Sequence, residues 1–111
     1  MEIRLLGGPT GGNGSPRLWA TDRDSIIVQG WRTGHTPGTV EIPHQLLGFL
    51  ELETCLGAAL HNTGNGTFTL CGDVVDDPHV LSAMQIPDHE TAVEVRALKA
   101  SYPHALSLRI R

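Results

Sequence analysis

Seven consecutive residues, Ser25-Ile26-Ile27-Val28-Gln29-Gly30-Trp31, constrain this chain more than any other stretch. Branched and aromatic side chains suit a pleated, half-buried surface and lose rotamer freedom in a helix, so the run predicts a central strand. A weaker version follows as Thr67-Phe68-Thr69-Leu70-Cys71-Gly72, and Val40-Glu41-Ile42 returns as Val93-Glu94-Val95. An offset of 42 brings Thr21 onto Thr63, Ser25 onto Thr67 and Gly30 onto Gly72, while an offset of 53 brings Val40 and Glu41 onto Val93 and Glu94. One unit is used twice, and the 11-residue difference (53 minus 42) places an insertion between Gly72 and Ala92 of the second copy.

The expected fold is α+β: an antiparallel sheet or half-open barrel built from two pseudo-repeated hairpin-plus-strand units, with two or three short helices on one face. Residues 1–15 read as an N-terminal strand and a Gly-rich linker, and residues 16–111 as one domain, with repeat 1 at about 16–50 and repeat 2 at about 56–100. A chain of 111 residues hides roughly two-thirds of its unfolded surface, enough for one core without staples.

In the first unit, Arg17-Leu18-Trp19-Ala20, the polar turn at 21–24 and the strand from Ser25 form a hairpin. Pro43 suits the first turn of a helix that Leu46, Leu47, Phe49 and Leu50 continue to about Glu51. A second hairpin runs from about Leu56 to Gly72 around Asn62-Thr63-Gly64-Asn65-Gly66. Asp76 or Asp77 caps a helix entered through Pro78, with Val80, Leu81 and Met84 as its apolar stripe. Glu90 to Arg96 alternates as a strand, Ala97 to Ala100 starts a last helix, and residues 104–111 form a short edge strand or a disordered tail.

Composition excludes several roles. A net charge of -4 with scattered basic residues gives no clustered positive surface for phosphates, so direct nucleic-acid binding is disfavoured. The start, Met1-Glu2-Ile3-Arg4-Leu5-Leu6, has no long apolar segment, which reads as cytoplasmic. Cys55 and Cys71 are too few for a disulfide framework and read as reduced, buried and inert. The glycines of 7–14 are followed by no Lys-Ser or Lys-Thr, so they read as a connection rather than a phosphate loop.

Six histidines, at 35, 44, 61, 79, 89 and 104, raise a metal question, but Cys55 to His61 and Cys71 to His79 match no zinc spacing. No metal and no cofactor are expected. Asp73, Asp76, Asp77, Asp88 and Glu90 flank the inserted helix, where negative charge suits the helix dipole or forms a contact surface for a basic partner. No calcium-loop pattern, Gly-x-Ser-x-Gly elbow, His-Glu-x-x-His pair or Cys-x-x-Cys motif occurs, so the chain reads as a non-enzyme.

The string from Leu18 to Arg32, followed by Val40-Glu41-Ile42-Pro43, Asp77-Pro78 and Ile86-Pro87-Asp88-His89-Glu90, resembles small uncharacterised actinobacterial proteins encoded beside helix-turn-helix regulators. The resemblance covers residues 16–100 and carries no functional residue with it. It implies a regulatory accessory that binds another protein, such as a DNA-binding regulator, and touches DNA only through it.

The expected function is therefore a cytoplasmic protein-interaction module, a homodimer, whose contact surface includes Trp31, Arg32, Asp73, Asp76, Asp77, His79, Asp88 and Glu90. The alternative is a small-ligand or metal-binding domain that uses the acidic and His-bearing segment 73–90.

Overall fold

The structure, a computed structural model, describes residues 1–9, 16–34 and 37–99. The strands are β1 (Ile3–Gly7), β2 (Arg17–Thr21), β3 (Ser25–Arg32), β4 (Thr39–Pro43), β5 (Thr54–Gly57), β6 (His61–Asn62), β7 (Thr67–Cys71), β8 (Asp73–Val74) and β9 (Glu90–Lys99). A 3-10 helix spans His44–Phe49, and one α-helix, α1, spans Pro78–Met84. The expected α+β class is corrected: among the described residues nine strands join one antiparallel sheet, with 51% strand against 14% helix, so the fold is mainly β.

The helices fall short for local reasons. Pro43 ends β4 instead of opening a helix, and the segment behind it closes only 3-10 turns. Ala97 to Lys99 has helical propensity but continues β9, because β5 pairs with it from Thr54 opposite Lys99 to Gly57 opposite Arg96. Tertiary pairing overrides a weak local preference there. The expectations for residues 10–15 and 104–111 lie outside the described residues.

β3 is the hub. One edge pairs with β2 through Gln29 and then with β4 from Trp31; the other edge pairs with β9 from Ser25 opposite Arg96 to Trp31 opposite Glu90. β4 continues to β7, β7 leads through Gly72 into β8, and β8 pairs with β9. The circuit β3, β4, β7–β8, β9 and back to β3 therefore closes on itself.

Under the offsets of 42 and 53, the ladders of this circuit map onto each other. Ile27 opposite Glu94 corresponds to Thr69 opposite Glu41, and Trp31 opposite Glu41 corresponds to Asp73 opposite Glu94. Each half thus pairs its first long strand with the last strand of the other half. The turns repeat too: Thr21 Oγ1 lies 2.6 Å from Ser25 Oγ, and Thr63 Oγ1 lies 2.6 Å from Thr67 Oγ1.

Alternation along each strand separates two cores. Leu18, Ile26, Val28, Val40, Ile42, Leu70, Val93 and Val95 point into the circuit together with Leu46 and Leu56. On the outer face of β2, β3 and β9, Trp19, Ile27 and Ala92 are covered by Val80 and Met84 of α1. On the corresponding outer face of the other half, the positions hold Glu41, Thr67 and Thr69, and among the described residues no helix covers them. The sequence insertion contains the helix, and the buried apolar residues of the outer face, Trp19, Ile27 and Ala92, lie beneath it.

Among the described residues, no helix is long and apolar enough to cross a membrane.

Candidate functional site

β9 begins at Glu90, and the pleat puts Glu90, Ala92 and Glu94 on the outer face under α1. Glu90 is fully buried, at 0% exposure. A short relay reaches it. The Trp19 indole N–H donates to Gln29 Oε1 at 3.1 Å, and Gln29 Nε2 donates to Glu90 Oε1 at 2.7 Å. An indole only donates, so it fixes the Gln29 oxygen toward itself and the amide nitrogen toward the carboxyl group.

The other oxygen is unpaired. Among the described residues, two buried side-chain polar atoms have no hydrogen-bond partner, Glu90 Oε2 and Thr33 Oγ1. His89 Nε2 is 3.6 Å from Glu90 Oε2, an ion-pair approach when the ring is protonated but too long for a hydrogen bond. A buried polar atom left in this state costs about 1–3 kcal/mol, and more where it is charged.

Arg32, exposed at the end of β3, holds the neighbouring loop. Its backbone N–H donates to His89 O at 3.3 Å and its Nε donates to Asp88 O at 2.9 Å. The loop starts where Gln85 takes a left-handed conformation, with φ of 54°, at the end of α1. Between α1, this loop and β8 lies a cavity of about 310 Å³ lined by Val74, Leu81, Ile86, Pro87, Arg32 and Glu90, among others. A second cavity of about 290 Å³ contains Thr33 and shares Arg32, Val74 and Thr91 with the first.

The proposed contact residues separate into distinct places. Arg32, Asp88 and Glu90 come together at the 310 Å³ cavity, and Trp31, half-buried, stands opposite Glu90 in the ladder. Asp77 is the N-cap of α1, its Oδ1 accepting from His79 N at 2.9 Å and Val80 N at 3.4 Å. Asp76 and Asp77 line a third cavity with Arg23 and Glu94, and exposed Asp73 lines a fourth near Arg96 and Lys99. Exposed His79 lines none of these cavities. Among the described residues, no three His, Cys, Asp or Glu side chains gather to hold a metal ion.

Cys55 and Cys71 are free and exposed, which corrects the expectation of buried thiols. Both sit on strand positions that alternate with buried leucines, Leu56 and Leu70, and so face outward.

Glu94 anchors a charged network on the same outer face. Arg23 Nε donates to Glu94 Oε2 at 2.8 Å and Nη2 to Oε1 at 2.5 Å, while the Ser25 hydroxyl donates to Oε2. The guanidinium hydrogen bonds hold the Glu94 carboxyl below its usual pKa against the opposing effect of burial, and the Ser25 hydroxyl helps. In the other half Thr67 Oγ1 donates to Glu41 Oε2 at 2.6 Å, but Asn65 stands where Arg23 stands.

Trp19, Gln29 and Thr33 were not foreseen as site residues. A signal for Gln29 existed: it is the one amide within an apolar run, on the same face as Ile27.

Compared with protein-family models, curated proteins and solved structures, the chain matches none.

Proposed function

We propose that this chain is a protein-binding module without catalytic activity of its own, which takes an extended segment of a partner along the free edge of β1. The observation that carries the reading is that edge itself. Among the described residues, β1 pairs only with β2, while the central strands close on one another.

The edge has the properties that strand addition uses. Asp22 N donates to Glu2 O, so alternation turns the Arg4 backbone groups toward β2 and those of Ile3 and Leu5 outward. Leu5 is 48% exposed and Leu52 is 90% exposed. The Arg4–Glu51 ion pair at 3.2 Å ties the loop that carries Leu52 to β1. Main-chain groups would provide affinity, and these leucines would select apolar side chains in the partner.

The resemblance to proteins encoded beside helix-turn-helix regulators makes such a regulator the first partner to test, in the cytoplasm. The Leu5→Pro variant removes one outward N–H and leaves the β2 ladder intact. Capture from host lysate with quantitative mass spectrometry should enrich a protein on wild type and lose it on Leu5→Pro. Equal profiles for the two baits would overturn the reading. A dimer in light scattering that Leu5→Pro splits would replace it with self-pairing of β1.

A further inference from the structure

Glu90 lines a cavity, and its buried Oε2, with His89 Nε2 at 3.6 Å, has no hydrogen-bond donor among the described residues and is incomplete without one. Three features of the pocket under α1 limit what that is. Glu90 Oε1 is already held by Gln29, so Oε2 is the remaining acceptor. Half of the wall is aliphatic, through Val74, Val75, Leu81, Ile86 and Ala92, and Asp88 and Thr91 share the polar half with Arg32 and Glu90. Arg32 also lines the pocket and uses its Nε on Asp88 O, while its guanidinium ends form no ion pair among the described residues.

We propose that this pocket binds a small amino-acid-like zwitterion with an aliphatic body, its ammonium group donating to Glu90 Oε2 and its carboxylate meeting Arg32. A buried carboxylate is stabilised by a cation that also hydrogen-bonds, and an ammonium group is the smallest organic group that does both. The guanidinium presents paired donors suited to a carboxylate. At about 310 Å³ the cavity is at the small end of ligand sites, which fits one amino acid better than a peptide or nucleotide. Thr33 Oγ1, in the adjoining cavity that shares Arg32, offers a further polar contact on the carboxylate side. This site is independent of the β1 edge, and either can fail alone.

The test uses the full chain and three probes of one skeleton: L-leucine, 3-methylbutylamine, which lacks the carboxylate, and 4-methylpentanoate, which lacks the ammonium. Titration followed by amide NMR shifts should show leucine binding tightest, the amine weaker, and the acid weakest. The shifts should centre on residues 74–75, 81–92 and 32–33. Glu90→Gln should weaken leucine and the amine by about tenfold or more, the loss of one charge-assisted hydrogen bond. Arg32→Ala, at an exposed position, should weaken leucine more than the amine and so narrow the difference between them, because only leucine has a carboxylate to lose. Absence of shifts with all three probes on wild type at millimolar concentration would overturn the proposal, whether or not Glu90→Gln folds. Tightest binding by the acid, or leucine affinity unchanged in Glu90→Gln, would do the same.

Discussion

Gly30 and Gly72 occupy equivalent points of the two halves, and each lies against the carbonyl oxygen of a glutamate. A Cβ at Gly30 would sit 2.5 Å from Glu41 O, and one at Gly72 would sit 2.7 Å from Glu94 O. Ile42 and Val95 also close on these positions, at 2.9 Å and 2.8 Å. The glycines allow β4 and β9 to cross the strands that precede them, which the closed circuit requires.

Gly30→Ala and Gly72→Ala should therefore each destabilise the fold, by about 1–3 kcal/mol, because the backbone must shift to admit one methyl group. Urea unfolding of both variants checks this. Gly34→Ala is a poor control, since its φ of 58° adds strain of its own, whereas Gly48→Ala has open space and should be nearly neutral.

The Glu94 carboxyl has a pKa below its usual value in the folded state. Its contribution is thus fully present above the unfolded value of about 4.3 and is lost as pH falls through the lower folded value. Thermal melts from neutral pH downward should show this loss beginning near pH 4. In Glu94→Gln that part of the acid slope should be absent. Equal slopes in the two proteins would refute it.

Met84 is 2% exposed and Val80 is 2% exposed between α1 and the outer face of the sheet. Met84→Ala should cost about 2–5 kcal/mol through lost burial and the cavity left behind. Leu52→Ser, at 90% exposure, should leave stability within about 0.5 kcal/mol. Calorimetry on both separates burial from mere apolarity.

Asp77 accepts two backbone N–H bonds at the start of α1. Asp77→Ala should cost about 1 kcal/mol, and Asp77→Ser much less. Because α1 roofs the pocket over Glu90, hydrogen exchange in residues 78–84 should rise in Asp77→Ala before global unfolding does.

Much of the strand plan was legible because alternation is a local signal: the run from Ser25 and the Asp-Pro cap before α1 both declare themselves within a few residues. The α+β expectation failed where local preference met distant partners. Ala97-Leu98-Lys99 reads as helical alone, yet Thr54, Cys55 and Leu56 lie opposite and make it strand. The exchange of last strands between halves depends on contacts 60 or so residues apart, such as Gln29 to Glu90, which no local window contains. Glu90 reads as a solvated acid by type. Only its parity with Ala92, and the lone Gln29 across the ladder, indicate a buried face.

The strand exchange underlies both the pocket and the relay. Arg32 N donates to His89 O and Gly72 N to Gly38 O, so alternation makes Ile27–Glu94 and Thr69–Glu41 the closely spaced, non-hydrogen-bonded pairs of their ladders. A nuclear Overhauser spectrum in heavy water should show strong Hα–Hα cross-peaks for both pairs in the same sample. Absence of either, with the strands otherwise formed, would contradict the closed, cross-paired sheet.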